Sequence, residues 1–493
     1  KRSLLTASEA PIVLLRYRGG DIAPQVAPDT PYLGAMLPYT PLHHLLLTDL
    51  GFPVVATSGN LSGEPICIDE TEALAKLGGI ADLFLVHNRP IARHVDDSVV
   101  CVAAGQTLML RRARGFAPLP VDILDHSLSL VATGAHQKNT VALLHNQHVF
   151  LSQHLGDMDS AETLNAFKRT LADFQTLYEA KPCAIVCDLH PDYATTQYAE
   201  KSGLPIIRVQ HHYAHVLSCM AEHHLTSPVL GVTWDGTGYG TDGTIWGGEF
   251  LVIDDTGFTR AAHLRPFPLP GGDAAAREPR RSLLGVLYAM FEDEIPHDVL
   301  QFSPNELHLL LSALRKGVNA PLTSSVGRLF DAVAALAGLR QKCSFEGQAA
   351  MALEYAALNT NTDECYPYLI TPVTNGTGVN RDMIEWKPIL AAMLDETDPA
   401  LMSAKFHNTL AEIVVEVARR VGIQQVALTG GCFQNRTLLK GCIAKLQAAG
   451  FTPYWQQRFP PNDGGIALGQ IAAALREEHH VSGSSGKVGQ HHG

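Results

Sequence analysis

Five short, mostly apolar runs in this chain each stop at a glycine or a polar residue, and no other feature restricts its fold as much. Residues 128–132 run into Thr133 and Gly134, 184–187 into Asp188, and 206–209 into Gln210. Residues 230–234 run into Asp235, and 425–428 into Thr429, Gly430 and Gly431. Runs of this length between turn formers read as strands rather than helices. In α/β sheets, functional groups gather at the ends of such strands. Residues 140–144 and 148–152 read as two further strands. An amphipathic helix is predicted over 161–180, with Leu164, Phe167, Leu171, Phe174 and Leu177 on one stripe.

The second half reads as mainly helical, over 282–293, 305–316, 327–338, 346–358 and 403–421. Residues 235–248 read as a long glycine-rich turn. The order of strands and helices predicts a two-lobed α/β nucleotide-binding fold over 126–477. Residues 1–125 have a different texture, with short apolar runs at 11–15, 54–57, 83–86 and 98–102 read as strands of a separate α/β domain. Residues 115–120, rich in Gly and Pro, read as the linker. The Ser-, Gly- and His-rich stretch 478–493 reads as a disordered tail or remnant.

Charge narrows the functional classes. Lys and Arg total 37 against 49 Asp and Glu, a net charge of −12. A general nucleic-acid binder needs a basic face to displace counterions, so that class is disfavoured. No apolar run reaches the length of a membrane span, and residues 1–10 do not read as a signal peptide. The nine cysteines are scattered. They read as reduced thiols of a cytoplasmic protein, mostly serving as small buried apolar residues.

Gln210-His211-His212-Tyr213-Ala214-His215 starts a helix directly after a strand. His211 and His215 are four apart, which puts both imidazoles on one helical face within reach of one cation. Alone, that spacing also suits a polar helix surface. Asp235, at the end of the 230–234 run, and Asp463, in Pro461-Asn462-Asp463-Gly464-Gly465, would complete a two-histidine, two-carboxylate set. Such a set suits iron or zinc with open positions. The plainer role for Asp463 is a helix N-cap.

Asp235-Gly236-Thr237-Gly238-Tyr239-Gly240 is dense in glycine, which lets backbone N–H groups approach phosphate oxygens. Ala132 to Thr140, including Lys138, reads as an equivalent turn in the first lobe. Gly430-Gly431-Cys432-Phe433-Gln434-Asn435 sits at a strand-to-helix junction suited to a nucleotide. No Walker A loop occurs. Ser58 and Asn60, in Thr57-Ser58-Gly59-Asn60-Leu61-Ser62-Gly63, follow the 54–57 run and can hydrogen-bond a phosphate or ribose.

Together these motifs resemble one family. Pro38-Tyr39-Thr40-Pro41-Leu42-His43-His44, the Ser58/Asn60 loop and His94-Val95-Asp96-Asp97-Ser98 are similar to the YrdC-like domain. His190-Pro191-Asp192-Tyr193, the histidine pair, Asp235 to Gly240, Phe345-Glu346-Gly347-Gln348, Gly430 to Asn435 and Pro461 to Gly465 are similar to the actin/Hsp70-like carbamoyltransferase domain. In this order they resemble the hydrogenase-maturation carbamoyltransferases of the HypF type. The resemblance implies that the first domain makes carbamoyl adenylate from ATP, with Mg possible, and from carbamate released by carbamoyl phosphate. It implies that the second domain passes the carbamoyl group to the C-terminal cysteine of a HypE-type partner.

By motif, His211, His215, Asp235 and Asp463 are implied metal ligands, the first three also catalytic. Ser58, Asn60, Lys138, Gly236, Thr237, Gly238, Asp331, Gly430, Gly431 and Asn435 are implied nucleotide contacts. Asp331, in Gly327-Arg328-Leu329-Phe330-Asp331, stands for the ribose-binding acid; a solvent-facing helix position is its plain alternative. Glu346 is a further candidate. The family's Lys-x-Arg pair and its acylphosphatase-like and zinc-finger modules are not seen before Ser58. The chain is therefore expected to be a fragment, with the first domain N-terminally incomplete, that performs the transfer half but not carbamoyl phosphate hydrolysis. Rival readings are an antibiotic O-carbamoyltransferase, a tRNA threonylcarbamoyl transferase and a sugar-kinase-like ATPase.

Overall fold

A computed structural model describes residues 1–20, 22–122, 128–292, 294–374 and 380–484. The chain divides into two compact units, Lys1–Val209 with Gln456–His479, and Gln210–Trp455. The sequence-based cut between 125 and 126 lies outside the described residues.

The first unit holds two sheets. One has four strands in the order Tyr32–Ala35, Ile12–Arg16, Val99–Ala103, Gln106–Arg111. Val13, Val100 and Met109 are its buried centre. The predicted strands at 54–57 and 83–86 do not form. Val55 is 73% exposed and Leu83 91% exposed, and among the described residues neither run pairs with a strand. Apolar composition makes a strand only where a neighbouring strand takes up its N–H and C=O groups.

The other sheet runs Ile206–Val209, Ala184–Asp188, Leu130–Ala132, Ala142–His145, His148–Leu151, Pro120–Asp122. The helix Ala161–Leu177 covers it, capped by Ser160, whose hydroxyl accepts from Thr163 N. Phe167 and Leu171 from this helix pack with Val131 and Ile185. The last helix, Ile466–Ser484, begins in this unit and continues through 478–484, which the sequence read as tail. Residues 485–493 lie outside the described residues.

The second unit is built on a nine-stranded sheet. Its main path is Leu369–Thr374, Asn380–Glu385, Gly257–Leu264, Ile245–Asp254, Val229–Tyr239, Gln425–Thr429, Thr452–Trp455. The second half is mainly helical, as the sequence read it, and this sheet adds strands there that the reading did not name. Ile245–Asp254 is buried on both faces along most of its length, so it lacks the alternation that marks a half-buried strand. The supposed turn at 235–248 is mostly strand as well. Val229–Tyr239 runs through the glycines and pairs antiparallel with Ile245–Asp254, with a register shift between Trp234 and Gly238. The predicted helices appear as Pro279–Phe291, Pro304–Lys316, Val326–Leu336, Gln348–Ala357 and Pro399–Val421.

Val229–Tyr239 pairs in parallel with Gln425–Thr429, with Thr233 opposite Thr429. Asp235 and Gly430 therefore lie side by side just past the last parallel pair, where Val229–Tyr239 continues beside Ile245–Asp254. The helix His211–His223 lies against the same strand. Gly231 makes that approach possible, since a Cβ there would stand 2.3 Å from Val216 Cγ2. No helix among the described residues is long and apolar enough to cross a membrane. All nine cysteines are free, and only four are buried, fewer than the sequence reading expected.

A buried imidazole and carboxylate cluster as candidate active site

The histidine helix starts where the strand Ile206–Val209 ends. Gln210 caps it, its side chain accepting from Tyr213 N at 2.8 Å. His211, His212 and His215 are all fully buried, so this is not a polar helix surface. Burying several imidazoles is unfavourable unless each finds a polar partner. His212 turns to Gln210, its Nδ1 3.2 Å from Gln210 Nε2. Burial first, then the neighbouring His211, pushes the His212 pKa down to about 3, so it stays neutral.

His211 and His215 turn the other way. Their Nε2 atoms stand 3.5 and 3.1 Å from Asp235 Oδ2. The second carboxylate oxygen, Oδ1, accepts from Gly236 N at 2.8 Å and from Gly431 N at 3.2 Å. One oxygen thus anchors the two glycine turns, while the other faces both imidazoles. Burial by itself would raise the Asp235 pKa. The hydrogen bonds and charges of His211 and His215 outweigh it and hold the carboxyl well below the usual range. The three side chains bring one ligand atom each within 4.8 Å of one another. Buried imidazole nitrogens converging with a carboxylate oxygen are a donor set that fits a divalent transition metal.

Gly238 serves this cluster by being small. A Cβ there would lie 2.4 Å from His212 Cε1 and 2.9 Å from His211 Cδ2. Gly430, at φ 95°, packs directly on the backbone of Trp234, and Phe433 stacks on the Trp234 ring. Thr237 lies on the same strand as Gly236 and Gly238. Asn435 caps the helix Arg436–Ala448, its Oδ1 accepting from Leu438 N. Its Nδ2 lies 2.8 Å from His407 Nε2. His407 Nδ1 is 2.7 Å from the Ser403 carbonyl, so Nδ1 carries the proton and Nε2 accepts from Asn435. Both ends of the Asn435 amide are therefore engaged in shaping the turn. Sequence reasoning missed His407, which lies 28 residues away on another helix and carries no motif.

Asp331 is buried rather than solvent-facing, with Oδ2 3.1 Å from Arg328 Nη1. Burial, opposed by Arg328 and assisted by Glu346, pushes its pKa up to about 6. A raised carboxyl pKa contributes stability that is present below the unfolded value near 4 and lost as pH rises through 6. Asp331→Asn removes that loss. Its stability relative to the unsubstituted chain is expected to improve by about 2 kcal/mol between pH 4 and pH 8 in urea unfolding. A gap that stays constant with pH would place the Asp331 titration elsewhere.

The remaining candidates belong to the first unit. Lys138 takes a left-handed turn conformation, and its N–H donates to Asp157 Oδ1. Asn139 Nδ2 staples the same turn by donating to the carbonyls of Thr133 and Ala135. Gln470 clamps Gly134 through both its N–H and its C=O. Thr140 Oγ1 donates to the Gly464 carbonyl, tying this turn to the loop that carries Asp463. Asp463 is buried. It is not the helix N-cap of the plainer reading: Asn462 caps the short turn Asp463–Gly465 by accepting from Gly464 N. Ser58 and Asn60 sit in an irregular loop rather than at a strand end. Asn60 Nδ2 closes that loop onto the carbonyls of Leu61 and Glu64.

Comparison with known proteins gives the family. Residues 231–470 match the family described as "Carbamoyltransferase, Kae1-like Domain, second subdomain", and residues 125–222 match "HypF Kae1-like domain". Residues 1–113 match the Sua5, YciO and YrdC family, described as "Telomere recombination". A carbamoyltransferase HypF homolog of Cupriavidus necator is 35% identical over 72% of this chain and 93% of its own length. The chain belongs to the HypF carbamoyltransferase family. Carbamoyltransferase HypF of Synechocystis sp. is 46% identical over 97% of this chain and 64% of its own length. The chain thus spans about 64% of the length of that curated HypF relative. The crystal structure of full-length HypF in its phosphate- and nucleotide-bound form superposes with a TM-score of 0.90 at 41% identity, covering 96% of this chain and 75% of that one. HypF membership establishes the predicted order of a YrdC-like domain followed by a Kae1-like domain.

Proposed function

We propose that this chain carries the two catalytic modules of a HypF-type carbamoyltransferase. Residues 1–125 form carbamoyl adenylate, and residues 126–477 pass the carbamoyl group to the C-terminal cysteine thiol of a HypE-type partner. The observation that carries this reading is the convergence of His211, His215 and Asp235 beside Gly236 and Gly431 in a member of this family.

The chemistry balances in two steps. A carbamate oxygen attacks the α-phosphorus of ATP, and pyrophosphate leaves with the electron pair of the broken P–O bond. The acceptor thiol loses its proton, its sulfur attacks the carbamoyl carbon, and AMP leaves. In the first step Ser58 and Asn60 contact the nucleotide. In the second, Lys138, Gly236, Thr237, Gly238, Asp331, Gly430 and Gly431 surround it, and Asn435 acts through the turn it caps. A divalent iron or zinc ion would be held by His211, His215 and Asp235, with Asp463 proposed as the fourth ligand. When bound, such an ion supplies Lewis-acid polarisation of a phosphate or carbamoyl oxygen. Mg accompanies ATP. A cytoplasmic location is proposed as well, on the nine free cysteines.

The test is product analysis with ATP and carbamoyl phosphate, on this chain and on its longer parent. AMP and pyrophosphate are expected from the parent, reduced in His211→Ala and in Ser58→Ala. Formation of ADP, or turnover that ignores carbamoyl phosphate, sinks the carbamoyl reading and favours a kinase-like ATPase.

A further inference from the structure

The helix Val326–Leu336 begins against the Asp235–Gly236 turn. Ser325 caps it, its Oγ accepting from Arg328 N at 3.1 Å and lying 2.6 Å from the Asp235 carbonyl. Gly327 lets the two segments touch, since a Cβ there would stand 2.8 Å from Gly236 Cα. The positive end of an 11-residue helix therefore meets the glycine strand beside Asp235.

Arg328 lies in the first turn of that helix, its side chain only 8% exposed. Its head turns to the same place, with Nη2 3.4 Å from where a Cβ would sit on Gly236. Nη1 stands 3.1 Å from Asp331 Oδ2. Even so, neither Nε nor Nη1 makes a hydrogen bond among the described residues. A buried guanidinium with unused donors is poised for a planar anion that accepts from two of them. The surroundings favour such a cation. Asp235, Asp331 and Glu346 all border this region, and a phosphate placed among three carboxylates alone would be repelled.

We propose that Arg328 is the residue that binds the phosphate of the adenylate in the second module, its guanidinium and the N-terminus of the helix Val326–Leu336 facing the phosphate across Gly236. This rests on the reading of that module as the holder of the adenylate. Sequence reasoning quoted Arg328 within its motif but selected only Asp331. The assignment makes Arg328 the group that separates a nucleotide from a nucleoside. Its neighbour Asp331 keeps the guanidinium oriented.

The experiment compares the binding of AMP and of adenosine to this chain by calorimetry. The unsubstituted chain is expected to prefer AMP. Arg328→Gln is expected to weaken AMP by roughly ten- to hundredfold while leaving adenosine affinity unchanged. The retained adenosine affinity also reports that the variant is folded. Equal preference for AMP in Arg328→Gln and the unsubstituted chain overturns the assignment. Failure of the unsubstituted chain to bind AMP overturns instead the nucleotide reading of the module. If the glutamine variant does not fold, Arg328→Lys decides, because it keeps the charge and loses the planar fork. A partial loss of AMP preference is then expected, and an unchanged preference counts against Arg328.

Discussion

Asp235→Ala is expected to leave the purified chain without stoichiometric iron or zinc and to lower carbamoyl transfer by the longer parent by at least roughly a hundredfold. The expectation follows from how one carboxylate divides its work. Oδ2 faces both imidazole Nε2 atoms, at 3.1 and 3.5 Å, while Oδ1 accepts from the N–H groups of Gly236 and Gly431. Alanine removes the charged ligand and releases both glycine turns together. Asp235→Asn separates the two roles, because its amide oxygen can still accept from the glycines while the charge is gone. Elemental analysis should therefore find metal lost from both variants. Thermal unfolding should find the alanine variant the less stable, by about 1–3 kcal/mol for the released N–H groups. Full metal content in Asp235→Asn would remove this carboxylate from the ligand set.

Gly430→Ala is expected to cost about 3–5 kcal/mol of stability for a single methyl group. Two costs add. Gly430 has φ 95° and ψ 161°, a region that side chains rarely enter. Its Cβ would also stand 2.3 Å from the Trp234 carbonyl oxygen and 2.9 Å from Trp234 N. Those atoms belong to the central strand and cannot turn aside as a flexible side chain would. Gly243→Ala is the control. It too has a positive φ, 76°, but nothing lies within 4 Å of its Cβ position. It should cost about 1 kcal/mol. The two unfolding curves compared side by side measure what the Trp234 contact and the more restricted backbone of Gly430 add to the cost of a positive φ. Equal losses would mean that the Trp234 contact carries no weight.

The elements legible in the sequence were those whose evidence is local. The amphipathic stripe marked Ala161–Leu177, and the apolar runs marked Ala184–Asp188 and Ile206–Val209. Four-residue spacing put His211 and His215 on one face of a helix, and the apolar run 230–234 marked the strand that carries Asp235, which continues to Tyr239. The runs at 54–57 and 83–86 misled because a strand is completed by its neighbours, which composition does not report. Ile245–Asp254 escaped notice for the opposite reason, since burial on both faces erases its alternation.

By itself, then, the sequence determined the family, the order of its modules and the residue types at the strand ends, because each depends on neighbours a few positions away. The tertiary structure alone decided which of those residues meet. Asp235 reaches Gly431 across 196 residues of chain, and Ser325 reaches the Asp235 carbonyl across 90. Asn435 finds His407 on a separate helix, and Arg328 finds Gly236 because two glycines let a helix end rest on a strand. Such contacts depend on how the elements pack, and backbone close approach at Gly327, Gly238 and Gly430 controls that packing. Spacing along the chain holds no record of it.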